Sequence, residues 1–422
     1  MAADRRRILG LKLELARWIN RKLSAIPGTS LIQGPLQRRI ELSSEEASSV
    51  RLLRPAFGLA ENSRRLNRQF LAAGKQASAL NWFIPNHENS LYAGVYTILR
   101  FASRLASFYS IPTRIVIYDQ TEGEISRLRE RIEFLFPALR GAVSCTALDG
   151  GVSIATFWKS AYVVAERRGE ANYYFIQDYE PAFYQAGSLY GLVENSYRLG
   201  LMPIVNTPGL WDFIHRIHNV SDGVSFIPTI DRALFRPATD GPPVKDPIQI
   251  VFYGRPSQHR NGFDLGTQAL TEVKQAFGAR VNIVSAGADW NPREFGLQDV
   301  LENRGRLSSL SEVAALYRGS HIGLCLMFTK HPSYQPFEMI ASGCVVVTNE
   351  NESTSWFFRN EENCLLSPPT VPELSSALTR LISDYDLWGR IRSSAVNSLS
   401  KQSWDEVIDE TCLKAGLISK LS

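Results

Sequence analysis

Twice along this chain, apolar runs of strand length alternate with stretches that repeat their apolar residues at helical spacing, and a proline-rich break separates the two series. Strands spaced by helices pair in parallel, with the helices crossing over the sheet faces, so the pattern predicts α/β architecture. In the first series the predicted strands are 80–84, 113–118, 151–155, 173–176, 202–205 and 224–227, with helices over 95–109, 124–136, 156–167 and 209–217. Thr239-Asp-Gly-Pro-Pro-Val-Lys-Asp-Pro247 then breaks the pattern and reads as an exposed linker. The second series predicts strands over 248–253, 280–285, 322–327 and 344–348, and helices over 261–277, 310–317, 336–341 and 371–383. The expected division is a helical extension over 1–50, a first domain over 51–240, a second over 247–395, and a last helix within 396–422.

A chain of 422 residues has material for two cores. The net charge of +4 is too small to argue for nucleic acid, and it suits an enzyme that handles anionic phosphates. Five scattered cysteines have neither zinc nor disulfide spacing, which fits a reducing cytoplasm. No run of about 18 apolar residues is present, and the start of the chain has no signal-peptide core. Residues 1–40 read instead as a basic amphipathic helix, with Arg5, Arg6, Arg7, Lys12, Arg17, Arg21 and Lys22 among Leu9, Leu11, Leu13, Leu15, Trp18 and Ile19. Such a helix packs on the first domain or rests on an anionic membrane, and the expected location is the cytoplasm or the inner face of the plasma membrane.

Four segments carry chemistry. Gly254 ends a predicted strand, and Arg255 and Arg260 follow five residues apart, a spacing able to fork onto a diphosphate. The alternative for that loop is a solvated arginine pair. Glu338 opens a short helix after the polar loop Lys330-His331-Pro-Ser333-Tyr334, where an α/β crevice lies. It serves there as a hydroxyl acceptor or as a cap on its helix. Asp178 and Glu180 follow the strand Tyr173–Ile176, as site carboxylates or as caps of the turn before Pro181. The loop Asn86-His87-Glu88 leads to Gly94 at a helix start, whose amides suit phosphate or hydroxyls. Asp384-Tyr-Asp386 has metal-like spacing but follows a late helix and reads as a helix cap or a surface turn, so no metal is expected. Dinucleotide, P-loop, zincin and serine-hydrolase signatures are missing.

Phe337-Glu-Met-Ile-Ala-Ser-Gly-Cys-Val-Val-Val347 resembles the donor-binding segment of family 4 glycosyltransferases. The His-Pro-Ser-Tyr-Gln-Pro-Phe-Glu-Met run and Gln177-Asp-Tyr-Glu180 are similar to bacterial rhamnosyltransferases of the WsaF type, from about residue 78 onward. The resemblance implies the GT-B architecture, two Rossmann-like domains facing across a cleft, with the last helix crossing back to the first. It implies a retaining, metal-independent transferase that uses a nucleotide-diphosphate sugar, dTDP-rhamnose foremost, and extends a surface or lipid-linked glycan. Arg255 and Arg260 would neutralise the leaving diphosphate, and Glu338 would hold the ribose. Gly254, His331, Ser333 and Tyr334 would complete the donor site. Asp178 and Glu180 would orient sugar or acceptor, and Asn86, His87, Glu88 and Gly94 would form the cleft loop. The first glutamate of the family's pair falls at Lys330, a departure that leaves open a sugar-nucleotide-binding protein or scaffold without turnover, or a nucleotide-sugar epimerase.

Overall fold

The computed structural model describes residues 58–86, 93–220, 222–239 and 246–419. The basic N-terminal segment, His87 and Glu88, and most of the proline-rich linker lie outside the described residues. The first unit runs α1 (Leu59–Ala73), β1 (Leu80–Ile84), α2 (Ala93–Ser107), β2 (Thr113–Ile117), α3 (Ser126–Leu135), β3 (Val143–Ser144) and β4 (Val152–Ala155). It continues through α4 (Trp158–Ala165), β5 (Ala171–Ile176), α5 (Ser188–Ser196), β6 (Met202–Asn206), α6 (Pro208–His218) and β7 (Val224–Phe226). The second comprises β8 (Ile248–Tyr253), α7 (Phe263–Phe277), β9 (Val281–Ala286), β10 (Glu302–Asn303), α8 (Leu310–Arg318), β11 (Ile322–Leu324), α9 (Gln335–Ala341), β12 (Val345–Asn349), β13 (Leu365–Ser367) and α10 (Val371–Ser383). Helices α11 (Tyr385–Ser398) and α12 (Trp404–Lys414) follow.

Each unit holds one wholly parallel sheet, ordered β3-β2-β1-β4-β5-β6-β7 and β10-β9-β8-β11-β12-β13. The order reverses beside β1 and beside β8, and at such switch points the helices diverge and leave a crevice beyond the strand ends. Every residue of β1 is buried, as a sheet covered on both faces requires. Leu80, Trp82 and Ile84 pack with α2, α3 and α12 on one face, and Phe83 joins Trp158 and Tyr174 on the other. In the second sheet Ile250 and Phe252 face α7 and α10, and Val251 faces α8 and α9.

The chain leaves the second unit after α11 and returns to the first. Val407, Ile408 and Cys412 of α12 belong to the first unit's core. Arg104 donates to Asp409 at 3.0 and 2.7 Å and to Asp405 at 3.0 Å, and the Tyr173 hydroxyl donates to the carbonyl of Ala415 at 2.6 Å. Ser403 and Glu406 form a capping box that starts the helix there. Asp384 caps α11 by accepting from the amide of Leu387 at 2.8 Å, the role its position suggested.

Candidate functional site

The strand ends of the two sheets face one another across a cavity of about 830 Å³, a volume suited to a drug-sized or nucleotide-sized ligand. Its second-domain wall begins where β8 ends. A side chain at Gly254 would place its Cβ 2.3 Å from the Ser285 hydroxyl, so only glycine fits beside that hydroxyl without displacing it. Arg255 then projects into the cavity and donates to the Tyr253 hydroxyl at 3.0 Å. Arg260 stands on a short 3-10 turn, donates to Gln258 at 2.7 Å, and lies 4.7 Å from the ring of Phe183 in the first domain. Burial lowers the Arg260 pKa and the nearby Asp178 charge opposes that shift.

The loop after β11 supplies His331, Ser333 and Tyr334. His331 is buried, which depresses its pKa to about 3 and keeps the ring neutral. Its Nδ1 accepts from the amide of Ser333 at 2.9 Å, which places the ring proton on Nε2. Ser333 has φ 67°, a strained left-handed conformation for a residue other than glycine. The Tyr334 hydroxyl pairs with Thr97 Oγ1 and accepts from Asn206 Nδ2, each at 2.8 Å, and so joins both domains. One turn on, Glu338 reaches the cavity wall. Burial pushes its carboxyl up to about 7, opposed by the charge of Arg100.

Asp178 comes from the first domain, just past β5. Its Oδ2 accepts from Thr329 of the second domain at 2.8 Å and its Oδ1 from the amide of Tyr179 at 2.8 Å. Burial outweighs those bonds and the charge of Arg260, and raises its pKa to about 6. Gly94 reaches the same cavity, its carbonyl held by Gln177 Nε2 at 2.9 Å.

The structure thus gathers Gly94, Asp178, Arg255, Arg260, His331, Ser333, Tyr334 and Glu338 around one cavity. One sequence expectation needs correction. Glu180 is not on the wall: the turn Glu180–Phe183 rotates it into the core, where it accepts from the amide of Trp158 at 2.8 Å and caps α4. Gly254 follows β8 with the Ser285 hydroxyl against its Cα. The amide of Asn86 donates to Asp119 at 2.9 Å, which anchors the start of the loop after β1. Lys330 also turns away, with its ammonium 4.8 Å from the ring of Phe213.

Sequence reasoning missed Arg100, Asn206, Tyr253 and the Ser308–Ser309 segment, all of which line the cavity. Arg100 lies one turn beyond Tyr96 and Thr97 on α2, which line the cavity too, and about 120° around the helix from Gly94. Among the described residues no cluster of three or more His, Cys, Asp or Glu side chains is placed to hold a metal ion, and no helix is long and apolar enough to cross a membrane.

Comparison with known proteins agrees with this geometry. Residues 248–379 match the family model described as WsaF, C-terminal domain. The chain is 37% identical over 348 residues to the O-antigen biosynthesis protein RfbC of Myxococcus xanthus, an alignment that spans 80% of this chain and 27% of that relative's length. WaaG, a glycosyltransferase involved in lipopolysaccharide biosynthesis, superposes with a TM-score of 0.57 at 12% identity, covering 81% of this chain and all (100%) of WaaG. Anabaena HepE, solved with UDP and glucose, gives a TM-score of 0.54 at 11% identity, over 79% of this chain and 97% of HepE. The two facing parallel sheets, the returning helix and these likenesses identify the GT-B glycosyltransferase fold, with a second domain of the WsaF C-terminal type.

Proposed function

We propose that this chain is a retaining glycosyltransferase that moves a sugar from a nucleotide-diphosphate donor to a growing surface or lipid-linked polysaccharide. One observation carries the reading: Arg255, Arg260 and Glu338 of one domain and Asp178 of the other converge on a single cavity. In this reading Glu338 accepts hydrogen bonds from the donor ribose, and the two guanidiniums hold the diphosphate. The acceptor hydroxyl attacks C1 from the face that the leaving group departs. The C1–O bond to phosphate breaks, its electron pair passes to the diphosphate, and the acceptor proton follows to a phosphate oxygen. Asp178 stabilises the positive charge that develops at the sugar, and the arginines stabilise the negative charge that develops on the diphosphate. The step needs no metal, so activity is expected to survive EDTA.

The WsaF-type domain supports a deoxyhexose, L-rhamnose from dTDP-rhamnose foremost, and the RfbC likeness supports a surface polysaccharide as acceptor. Lys330, held over Phe213 where the family has its first glutamate, favours a second reading as a sugar-nucleotide-binding protein without turnover. Thermal shifts with dTDP, UDP, GDP and their sugars, followed by release of nucleotide diphosphate in the presence of a polysaccharide extract, separate the two. A shift with turnover supports the transferase, a shift without turnover supports the second reading, and no shift with any nucleotide overturns both.

A further inference from the structure

The first-domain wall of the cavity carries its own cations. Arg100 lies with its guanidinium carbon 4.9 Å from the Tyr96 ring and 5.2 Å from the Trp404 ring, so α2 and the start of α12 hold it between aromatic groups. Among the described residues it has no ion pair within 4.0 Å and no side-chain hydrogen bond, and Arg131 on α3 shares both properties. Both arginines line the cavity, as do Tyr96 and Trp404. Aromatic contacts fix a guanidinium while leaving its N–H groups available, and such a preorganised group suits an oxyanion. Arg255 and Arg260 on the opposite wall already offer charge to a donor diphosphate, so positive charge on this side serves the second substrate.

We propose that Tyr96, Arg100, Arg131 and Trp404 form an acceptor subsite for a saccharide bearing a phosphate or carboxylate group. The inference rests on the cleft being a glycosyl-transfer site and adds the chemical class of the acceptor. The rings also offer apolar faces to a sugar.

Fluorescence anisotropy on the full chain tests it with three labelled probes: trigalacturonic acid, N-acetylglucosaminyl farnesyl diphosphate, and neutral maltotriose. At least one charged probe is expected to bind about tenfold or more tighter than maltotriose, and Arg100→Gln or Arg131→Gln is expected to remove most of that preference. The preferred charged probe identifies the source of the anion, sugar carboxylate or lipid diphosphate. Arg100→Lys, which keeps the charge, should retain part of the preference. Equal binding of all three probes, or no binding of any, overturns the proposal. So does a pair of glutamine variants that lose the nucleotide thermal shift while keeping the wild-type preference for charged probes, because the arginines would then belong to the donor site. Absence of the nucleotide shift in the wild-type chain is a different failure and removes the transferase reading itself.

Discussion

Asp178 and Glu338 approach the same cavity from different domains, and loss of solvent moves both carboxyls toward neutrality in the middle of the pH range. In the proposed reaction Asp178 is ionised to stabilise a cationic sugar, so the rate should fall as pH drops through about 6, the value to which burial raises this group. Asp178→Asn is expected to lower kcat by about 100-fold or more and to abolish that acid limb, as a pH–rate profile would reveal. An unchanged limb would assign the titration to another group. Glu180, the carboxylate that turned inward, gives a stability prediction. Its folded pKa is raised to about 8 from 4.5, so between those values the native state keeps a proton that the unfolded chain releases. Its stabilising contribution is therefore complete below 4.5 and is lost as pH rises toward 8. Glu180→Gln keeps an acceptor for the Trp158 amide and removes the titration. Melting curves should show the variant losing less stability than the parent from pH 5 to 8, with a gain on the order of a few °C at the alkaline end.

At the scale of elements, the two domains meet through short, specific contacts. Helix α6 begins so close to the Glu352–Thr354 turn that a Cβ at Gly209 would lie 1.9 Å from the Ser353 carbonyl. Alanine is the better helix former by up to about 1 kcal/mol, so an unobstructed helix would gain from Gly209→Ala. The close contact predicts instead a net loss of about 1–3 kcal/mol in denaturant unfolding, as the helix shifts away from the second domain. Tyr334, at the start of α9, reaches two first-domain partners through one hydroxyl. Tyr334→Phe removes both bonds, each contributing about 1 kcal/mol. It should reduce kcat/KM by about tenfold through looser domain alignment. A lower unfolding midpoint with unchanged kcat/KM would restrict Tyr334 to a stabilising role.

At the scale of the whole molecule, the sequence was most legible where apolar runs are uninterrupted. Strands β1 and β8 occupy the residues their pattern predicts, because full burial on both sheet faces demands consecutive apolar side chains. The three strands it missed, β3, β10 and β13, are outer strands of two or three residues, too short to carry a period. Helices α1, α5 and α11 went unmarked as well. Within the site, Asp178 and Glu180 look equivalent in sequence; a 3-10 turn separates their fates, and Pro181 marks that turn without saying which carboxylate it carries inward. Arg100 shares its helix face with Tyr96 and Thr97, which the sequence does not mark, and Trp404, which helps hold it, comes from the far end of the chain. That same return segment predicts that deleting residues 403–419 exposes Val407's and Ile408's apolar partners and leaves the first domain aggregation-prone, measurable by light scattering and dye binding.

Helix α12 also sets an order of assembly during translation. The second domain is contiguous from β8 through α11, so it can close as soon as its own residues have left the ribosome. The first domain, although synthesised earlier, lacks Val407, Ile408 and Cys412 of its core until α12 arrives. The half of the molecule made first is thus the half completed last.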